Sequence, residues 1–166
     1  MPYDIYMKIE GVKGETTAKD MADHMSIHSF SFGASNPTTI GVASSGAAGG
    51  RVDVSSFSVM KNTDSASAAL FQACCDGTHY PTATVLLRKA GGKDAGQVPF
   101  LKYDFEEVFI SSLQWSGSGG GDSTPMESIT LSFGKISIEY SKQDDKGKLS
   151  KAGQAAWDVR TASSTA

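Results

Sequence analysis

Both cysteines of the chain and one of its three histidines lie within the segment Cys74–His79, which reads CCDGTH. Thiols, a carboxylate and an imidazole this close together are the residue types of a zinc site or of a thiol nucleophile. Zinc ligands of the cysteine type usually have about two to four intervening residues. Cys74 and Cys75 are adjacent, so on a helix they would point about 100° apart. The spacing therefore disfavours a metal site.

The same segment ends a predicted helix over 64–76. Small and apolar residues recur there at helical spacing, at Ala66, Leu70, Ala73 and Cys74. Asp64 or Ser65 could cap the start of the helix, and Gly77 suits a left-handed stop.

The position of the thiols also disfavours a nucleophile. At a helix C-terminus the helix dipole opposes formation of a thiolate. We therefore predict that the thiols are structural, with Cys74 buried, Cys75 partly exposed and His79 in the connection to the next strand. A cysteine hydrolase is the alternative, and it would require a thiol-dependent activity.

Other candidate sites in the sequence are weak. The glycine-rich runs Gly46–Arg51 and Gly119–Asp122 lack the Gly-x4-Gly-Lys-Ser/Thr spacing that cradles phosphate. Asp104 and Glu106 alternate with aromatic residues, and with Glu107 they indicate a solvated or interface face rather than a catalytic carboxylate pair. We predict no enzyme activity, no metal and no cofactor.

Composition excludes several classes of protein. The 166 residues indicate one domain, 1–166, and 39% hydrophobic with 20% charged residues indicates a globular chain. A net charge of -3 without a basic run argues against nucleic acid and anionic membranes as partners. No apolar run approaches the ~18–20 residues of a membrane span.

The first residues carry neither a basic nor an apolar signal region. We therefore expect the protein in the cytoplasm with reduced thiols, and any export by a route without a signal peptide.

Period-two alternation dominates the chain and predicts strands. Ile5, Met7 and Ile9 alternate with polar residues, as half-buried strands do. Four later segments change phase once in their middle, as after Met25 and Ile27, where the apolar residues move to Phe30 and Phe32. A straight strand cannot bury one face with such a pattern, whereas a bulged or bent strand can.

The alternation predicts an all-β fold, mainly β with one short α-helix, in a small antiparallel β-barrel of two packed sheets. Gly134 fits a corner at one of the phase changes. The segment 33–50 is predicted to be an extended loop, a last short strand is expected around 157–159, and 162–166 is predicted to be a frayed tail.

Several motifs resemble one known family. They are Ile5–Glu15, the aromatic-Ser-aromatic-Gly run Phe30–Gly33, the ordered set from Asp64 to Gly92 that includes Leu87–Gly92, the strand Glu127–Phe133 and the run Trp157–Thr161. On these motifs the chain resembles the Hcp family, the haemolysin-coregulated proteins of bacterial type VI secretion.

The resemblance implies a phage-tail-tube-like fold and a structural role. Hcp proteins form hexameric rings that stack into a secreted tube and hold effector proteins in the ring lumen. The implied partners are further copies of the chain, a spike protein of the VgrG type, a contractile sheath and effectors. The alternative from the residues alone is a monomeric β-barrel module that binds a ligand in the cytoplasm.

Two sets of residues are candidates for these contacts. Because Phe30 and Phe32 are expected in the core, Ser29 and Ser31 would face away and line the lumen. The uncharged loop 33–50 is expected to dock on the next ring, since it offers a fixed turn, apolar atoms and glycines for close approach. Its candidate residues are Asn36, Pro37, Ile40, Val42, Gly46, Gly49 and Gly50.

Overall fold

Antiparallel strands form most of the computed structural model of the chain, which describes residues 2–39, 48–90, 96–121 and 123–165. The prediction of a mainly β chain with one short helix is confirmed. In chain order the elements are β1 (Asp4–Ile9), β2 (Met25–Ile27), β3 (Ser29–Ser31), β4 (Ala34–Ser35), β5 (Thr38–Thr39), β6 (Ala48–Gly49), β7 (Asp53–Val54), β8 (Phe57–Asn62), α1 (Ser67–Asp76), β9 (His79–Ala90), β10 (Gln97–Ser116), β11 (Met126–Gln143), β12 (Leu149–Asp158) and β13 (Ser163–Ser164).

Strand pairing closes the sheet into a barrel. Strand β1 pairs with β2 and with β9, and β9 continues through β10 to β11. Strand β11 then pairs with β8, and β8 pairs with β3. His28 joins β2 directly to β3, and its backbone N–H donates to the Met60 carbonyl at 2.7 Å. The circuit of strands therefore returns to its start, which removes most of its free edges.

The two longest strands share a phase change at one place, and β10 has a further irregularity between Ile110 and Ser112. Glu107 of β10 lies between the paired positions Glu106 and Val108, opposite Gly134 of β11, and has a left-handed φ of 54°. Phe105 and Val108 are both buried, so the core-facing set shifts by one residue there. The pairing register of β10 with β11 is the same on both sides of this point, because each strand carries one irregular residue, Glu107 in β10 and Gly134 in β11. Beyond this corner β11 exchanges its partner β8 for β12.

An aromatic cluster fills the barrel interior near this corner. Phe57 is fully buried and stacks on Phe30 with ring centroids 5.5 Å apart. Phe105 contacts Phe57 at 5.0 Å and Phe133 at 4.9 Å. Phe32 also packs on Phe57, so the aromatic side chains of the predicted second strand do face the core. Burying several such rings provides much of the stability of a small barrel.

The helix begins later than the predicted residue 64. Helix α1 starts at Ser67, because the Asp64 carboxylate accepts the backbone N–H of Ala66 at 2.9 Å and holds the preceding residues in a turn. Neither Asp64 nor Ser65 is therefore the N-cap residue. Leu70 and Ala73 face the core, and Gly77 ends the helix with a φ of 72°, as predicted.

Short strands occur on both sides of the segment 33–50, which was predicted to be an extended loop. Strand β4 pairs with β7, and Thr38 and Thr39 of β5 pair with Gly49 and Ala48 of β6. These two short ladders form a β-ribbon, which we call the arm (residues 33–39 and 48–54). Its residues carry little alternation, so the sequence offered no strand signal there. The candidate residues Ile40, Val42 and Gly46 lie outside the described residues.

The C-terminal region also differs from its prediction. Strand β12 is ten residues long rather than a short strand at 157–159. Residues Ser163 and Ser164 pair with Asp158 and Trp157, so the predicted frayed tail contains a short strand instead. Strand β12 is rich in Ala, Gly, Ser and Gln, and such a composition lacks the apolar alternation that marks a strand.

Candidate assembly surface

Four strand segments form a sheet with a polar outer face. We call it the four-stranded sheet: β3, β8, the first part of β11 (Met126–Leu131) and the last part of β10 (Ile110–Ser116), in that spatial order. Two rows of paired residues cross its outer face. They are Ser29, Met60, Ser128 and Gln114 in one row and Ser31, Ser58, Thr130 and Ser112 in the next.

Short hydroxyl side chains dominate this face because the core residues alternate with them. Ser29 and Ser31 are exposed, while Phe30 between them packs into the aromatic cluster. Ser58 and Thr130 lie side by side across β8 and β11, with their hydroxyl oxygens 3.4 Å apart. The face is therefore uncharged along these rows, and its polarity comes from groups that hydrogen-bond to water or to a partner.

Within the part of the chain that the structure describes, the four-stranded sheet has an open edge on each side. The pairing of β10 with β9 ends at Phe109, which pairs with His79. Over residues Ile110–Ser116, β10 pairs with β11 on one side and has no strand partner on the other side among the described residues. On the opposite side β3 pairs with β8 and presents its other edge. Open edges expose unpaired backbone groups, and these are templates for pairing with another chain.

The arm and the β10–β11 turn lie at opposite ends of this sheet. The arm follows Ser31, which pairs with Ser58 near the Phe57 end of β8. The turn over 117–125 precedes Met126, which pairs with Asn62 at the other end of β8. Asn36, Pro37, Gly49 and Gly50 belong to the arm, where the Gly50 N–H donates to the Pro37 carbonyl at 2.9 Å. The candidate arm residues and the candidate lumen residues therefore occupy separate surfaces.

The segment Cys74–His79 contains the end of helix α1, and His79 is the first residue of β9 rather than part of the connection as predicted. Both cysteines are free thiols, Cys75 exposed and Cys74 half-buried against the core rather than fully buried as predicted. The Asp76 carboxylate accepts the Thr78 hydroxyl and, at 2.9 Å, the Thr78 N–H, and these bonds lower the pKa of Asp76. Among the described residues no three His, Cys, Asp or Glu side chains come together as a metal site would require.

A buried ion pair closes the end of the barrel beneath helix α1. The Lys61 ammonium lies 2.7 Å from Glu127 Oε1, and both side chains are fully buried. The ammonium also donates to Asp64 Oδ1 at 2.8 Å and to Ser67 Oγ at 3.3 Å. Lys61 and Glu127 are directly opposite each other on β8 and β11. Sequence analysis did not identify this cluster, although both residues fall at core positions of the strand alternation.

A second charged cluster braces the corner at Gly134. The Arg160 guanidinium donates to Asp158 Oδ2 at 2.8 Å and to the Glu107 carboxylate. The Asp158 carboxylate also accepts the backbone N–H of Thr161 at 3.1 Å. The pKa of Asp158 is lowered to about 2, mainly by the hydrogen bonds from the Arg160 side chain and next by the hydrogen bond from the Thr161 N–H. Asp158 also raises the pKa of Arg160.

The carboxylates of β10 have structural partners. Asp104 accepts the Thr84 hydroxyl at 2.8 Å and lies 3.2 Å from Lys102, while Glu106 lies 3.6 Å from Lys135. Each carboxylate therefore faces a hydroxyl or ammonium group on the barrel surface, which agrees with the predicted solvated or interface face.

None of the helices in the described part of the chain is long and apolar enough to cross a membrane.

Known proteins of type VI secretion share both sequence and fold with this chain. The family described as "Type VI secretion system effector, Hcp" matches residues 6–140. Protein hcp1 of Pseudomonas aeruginosa PAO1 is 35% identical over 161 residues, which cover 96% of this chain and 97% of that protein.

Two solved structures extend the similarity to the whole fold. A structure described as a type six secretion system protein superposes with a TM-score of 0.91 and 30% identity, over 99% of this chain and 100% of that one. Hcp1 from Salmonella typhimurium gives a TM-score of 0.78 and 27% identity, over 99% and 100% of the two chains. The chain therefore belongs to the Hcp family of type VI secretion tube proteins.

Proposed function

We propose that this chain is the subunit of a closed homohexameric ring, and that rings stack into the inner tube of a type VI secretion system. The observation that supports the ring best is the pair of open edges on the four-stranded sheet. A ring requires a heterologous contact between two different surfaces of the same chain, repeated until it closes. Strand β3 on one side and residues Ile110–Ser116 of β10 on the other supply two such surfaces.

The strand directions favour this pairing. The order β3, β8, β11, β10 is antiparallel throughout, so the two edge strands run in opposite directions. When the β10 edge of one copy meets the β3 edge of the next, the new pair is also antiparallel. Six copies would therefore join their four-stranded sheets into one continuous closed sheet, and no edge would remain for aggregation.

The same geometry would place the hydroxyl-rich face toward the ring centre. In that arrangement Ser29 and Ser31 lie on the inner wall, where an effector protein could be held during export. Replacing Ser31 with Tyr should weaken effector retention and leave the hexamer intact. The matched change Ser150→Tyr, near the start of β12, should affect neither property. Unchanged retention by the Ser31 variant for every effector tested would refute the lumen placement.

Stacking requires a second contact that does not close on itself. We assign it to the arm, because the arm leaves the four-stranded sheet at one end and could reach the opposite end of a sheet in the next ring. The spike protein of the VgrG type would cap the tube, and the contractile sheath would surround it. The protein would be held in the cytoplasm and then leave with the tube, without a signal peptide.

Light scattering after gel filtration tests the ring directly. The expected mass is six times the 17.4 kDa of the chain. A stable monomer at micromolar concentration would refute the ring and would favour a monomeric ligand-binding barrel instead. Electron microscopy of the same sample should show closed rings with a central opening.

A further inference from the structure

Two aromatic side chains are exposed together beside the open edge of β10. Phe71 of α1 and Trp115 of β10 are 49% and 43% exposed, yet their rings contact each other at a centroid distance of 5.6 Å. The Trp115 side chain lies on the core side of the four-stranded sheet, because its row partner Glu127 faces the core. Exposed Trp and Phe at a sheet edge are typical anchors of a protein interface.

A groove lies beside the opposite open edge. It has a volume of about 560 Å³ and is lined by Pro2–Tyr6 and Ser26–Phe30. Residues Ser29 and Phe30 of its wall belong to β3, the other edge of the four-stranded sheet. Tyr3, which is 48% exposed, contributes an aromatic surface to the same wall. The chain therefore carries an aromatic anchor at one edge and a groove at the other.

The pairing register places Trp115 and the groove in the same row of residues across the four-stranded sheet. Trp115 pairs with Glu127, and Glu127 pairs with Lys61. Continuing that row across β3 leads to His28, since Ser29 pairs with Met60. His28 is in the groove lining. Two copies joined edge to edge without a stagger would thus place Trp115 of one copy next to His28 of the other.

We infer that Trp115, supported by Phe71, docks in the groove beside β3 of the next copy and acts as the main side-chain anchor of the subunit contact. This inference rests on the proposed ring. Backbone pairing along three residues of β3 supplies little specificity by itself, because edge strands accept many partners. A rigid aromatic side chain that enters a shaped groove adds area and fixes which edge is accepted and in which register.

The test compares the concentration at which hexamers dissociate, measured by mass photometry and sedimentation. Trp115→Ala should raise the dissociation midpoint at least about tenfold, as truncation of an interface anchor does. Trp115→Phe should retain most of the assembly. Tyr140→Ala is the matched control, since Tyr140 is 44% exposed but lies on the part of β11 that pairs with β12. The control should leave the midpoint unchanged.

A bulky side chain introduced into the groove lining provides the reciprocal variant. His28→Trp should weaken assembly as Trp115→Ala does, while thermal unfolding should show both variants still folded. Equal midpoints for Trp115→Ala and Tyr140→Ala, or an unaffected His28→Trp, would overturn the inference and assign the groove to a different partner. A monomeric parent chain would instead refute the ring itself, so the two failures are distinguishable.

Discussion

Lys61 and Glu127 carry opposite charges, and both side chains are fully buried in the barrel. Removing one partner leaves the other charge buried and uncompensated, which costs about 3–5 kcal/mol. We therefore expect Lys61→Met to destabilise the fold by that amount in denaturant unfolding. The double change Lys61→Met with Glu127→Leu should recover most of the loss, because an apolar pair of similar volume needs no compensation. A double variant as unstable as the single variant would contradict this view of the pair.

Asp158 makes part of the stability depend on pH. Its pKa is about 2 in the folded protein, against an ordinary value of 3.8. The lowered pKa means that this contribution is present in full above about pH 4 and is lost as the pH falls toward 2. Asp158→Asn should flatten that part of the acid-unfolding curve, followed by tryptophan fluorescence. Asp145→Asn, in the exposed turn after β11, is the control for the loss of one charge, and equal curves for both variants would contradict the assignment.

Residue types foretold some of these side chains and not others. Gly77, after a run of small and apolar residues, was enough to predict where the helix ends. The Lys61 cluster was not predicted, because lysine is rarely buried and the alternation that places Lys61 on the core side does not show which partner would neutralise its charge. Its burial depends on the pairing of β8 with β11, and Lys61 and Glu127 are separated by more than sixty residues in the chain.

At the scale of elements, two glycines are expected to differ sharply in their tolerance of a side chain. A Cβ at Gly14 would lie 2.1 Å from the carbonyl oxygen of His24, which is fixed backbone in the β1–β2 connection. Gly14→Ala should therefore cost about 2–3 kcal/mol. A Cβ at Gly134 would meet Glu107 Oε2 at 2.9 Å and Arg160 Cδ at 3.2 Å, both on flexible side chains. Gly134→Ala should cost less than about 1 kcal/mol, and the reverse order in denaturant unfolding would contradict the corner geometry.

The arm has its own test at this scale. Replacing residues 39–48 with a short Gly-Ser link removes the chain between Thr38 and Gly49 and leaves the four-stranded sheet untouched. Rings should still assemble, because their proposed contacts use β3 and β10. Tube formation and secretion should be lost, since six weak contacts per junction act together only when all arms are present. Tubes formed by the shortened chain, or rings that fail to form, would give the arm another role.

Alternation of apolar residues made the long strands and their bends predictable. Each phase change in the sequence corresponds to a corner or a break, as at Glu107 and Gly134. The strands of the arm and the first part of β12 were missed, because small residues such as Ala, Gly and Ser give no period. Their strand conformation comes from backbone pairing with a neighbour, which a single segment of sequence does not encode.

For the whole molecule, a closed barrel that still carries two open edges is best explained by assembly. The barrel closes through β1, β2 and β9, whereas the four-stranded sheet continues outward at β3 and at the end of β10. Family membership and this topology both support the proposed ring, in which neighbouring copies cover the open edges. Because the two edges carry different side chains, the proposed contact would be heterologous, and its closure would determine the number of copies.

Cross-linking between the two edges is the most direct measurement of this claim. Each variant carries Cys75→Ser and Ser29→Cys. It also carries a second introduced cysteine at one outward position of β10, which is Ser112, Gln114 or Ser116. One of the three combinations should, on mild oxidation, give a ladder of bands that ends at six copies. Each control with only one of the two introduced cysteines should remain a single band. A ladder from none of the combinations, in a sample that scatters as a hexamer, would contradict edge-to-edge closure of the ring.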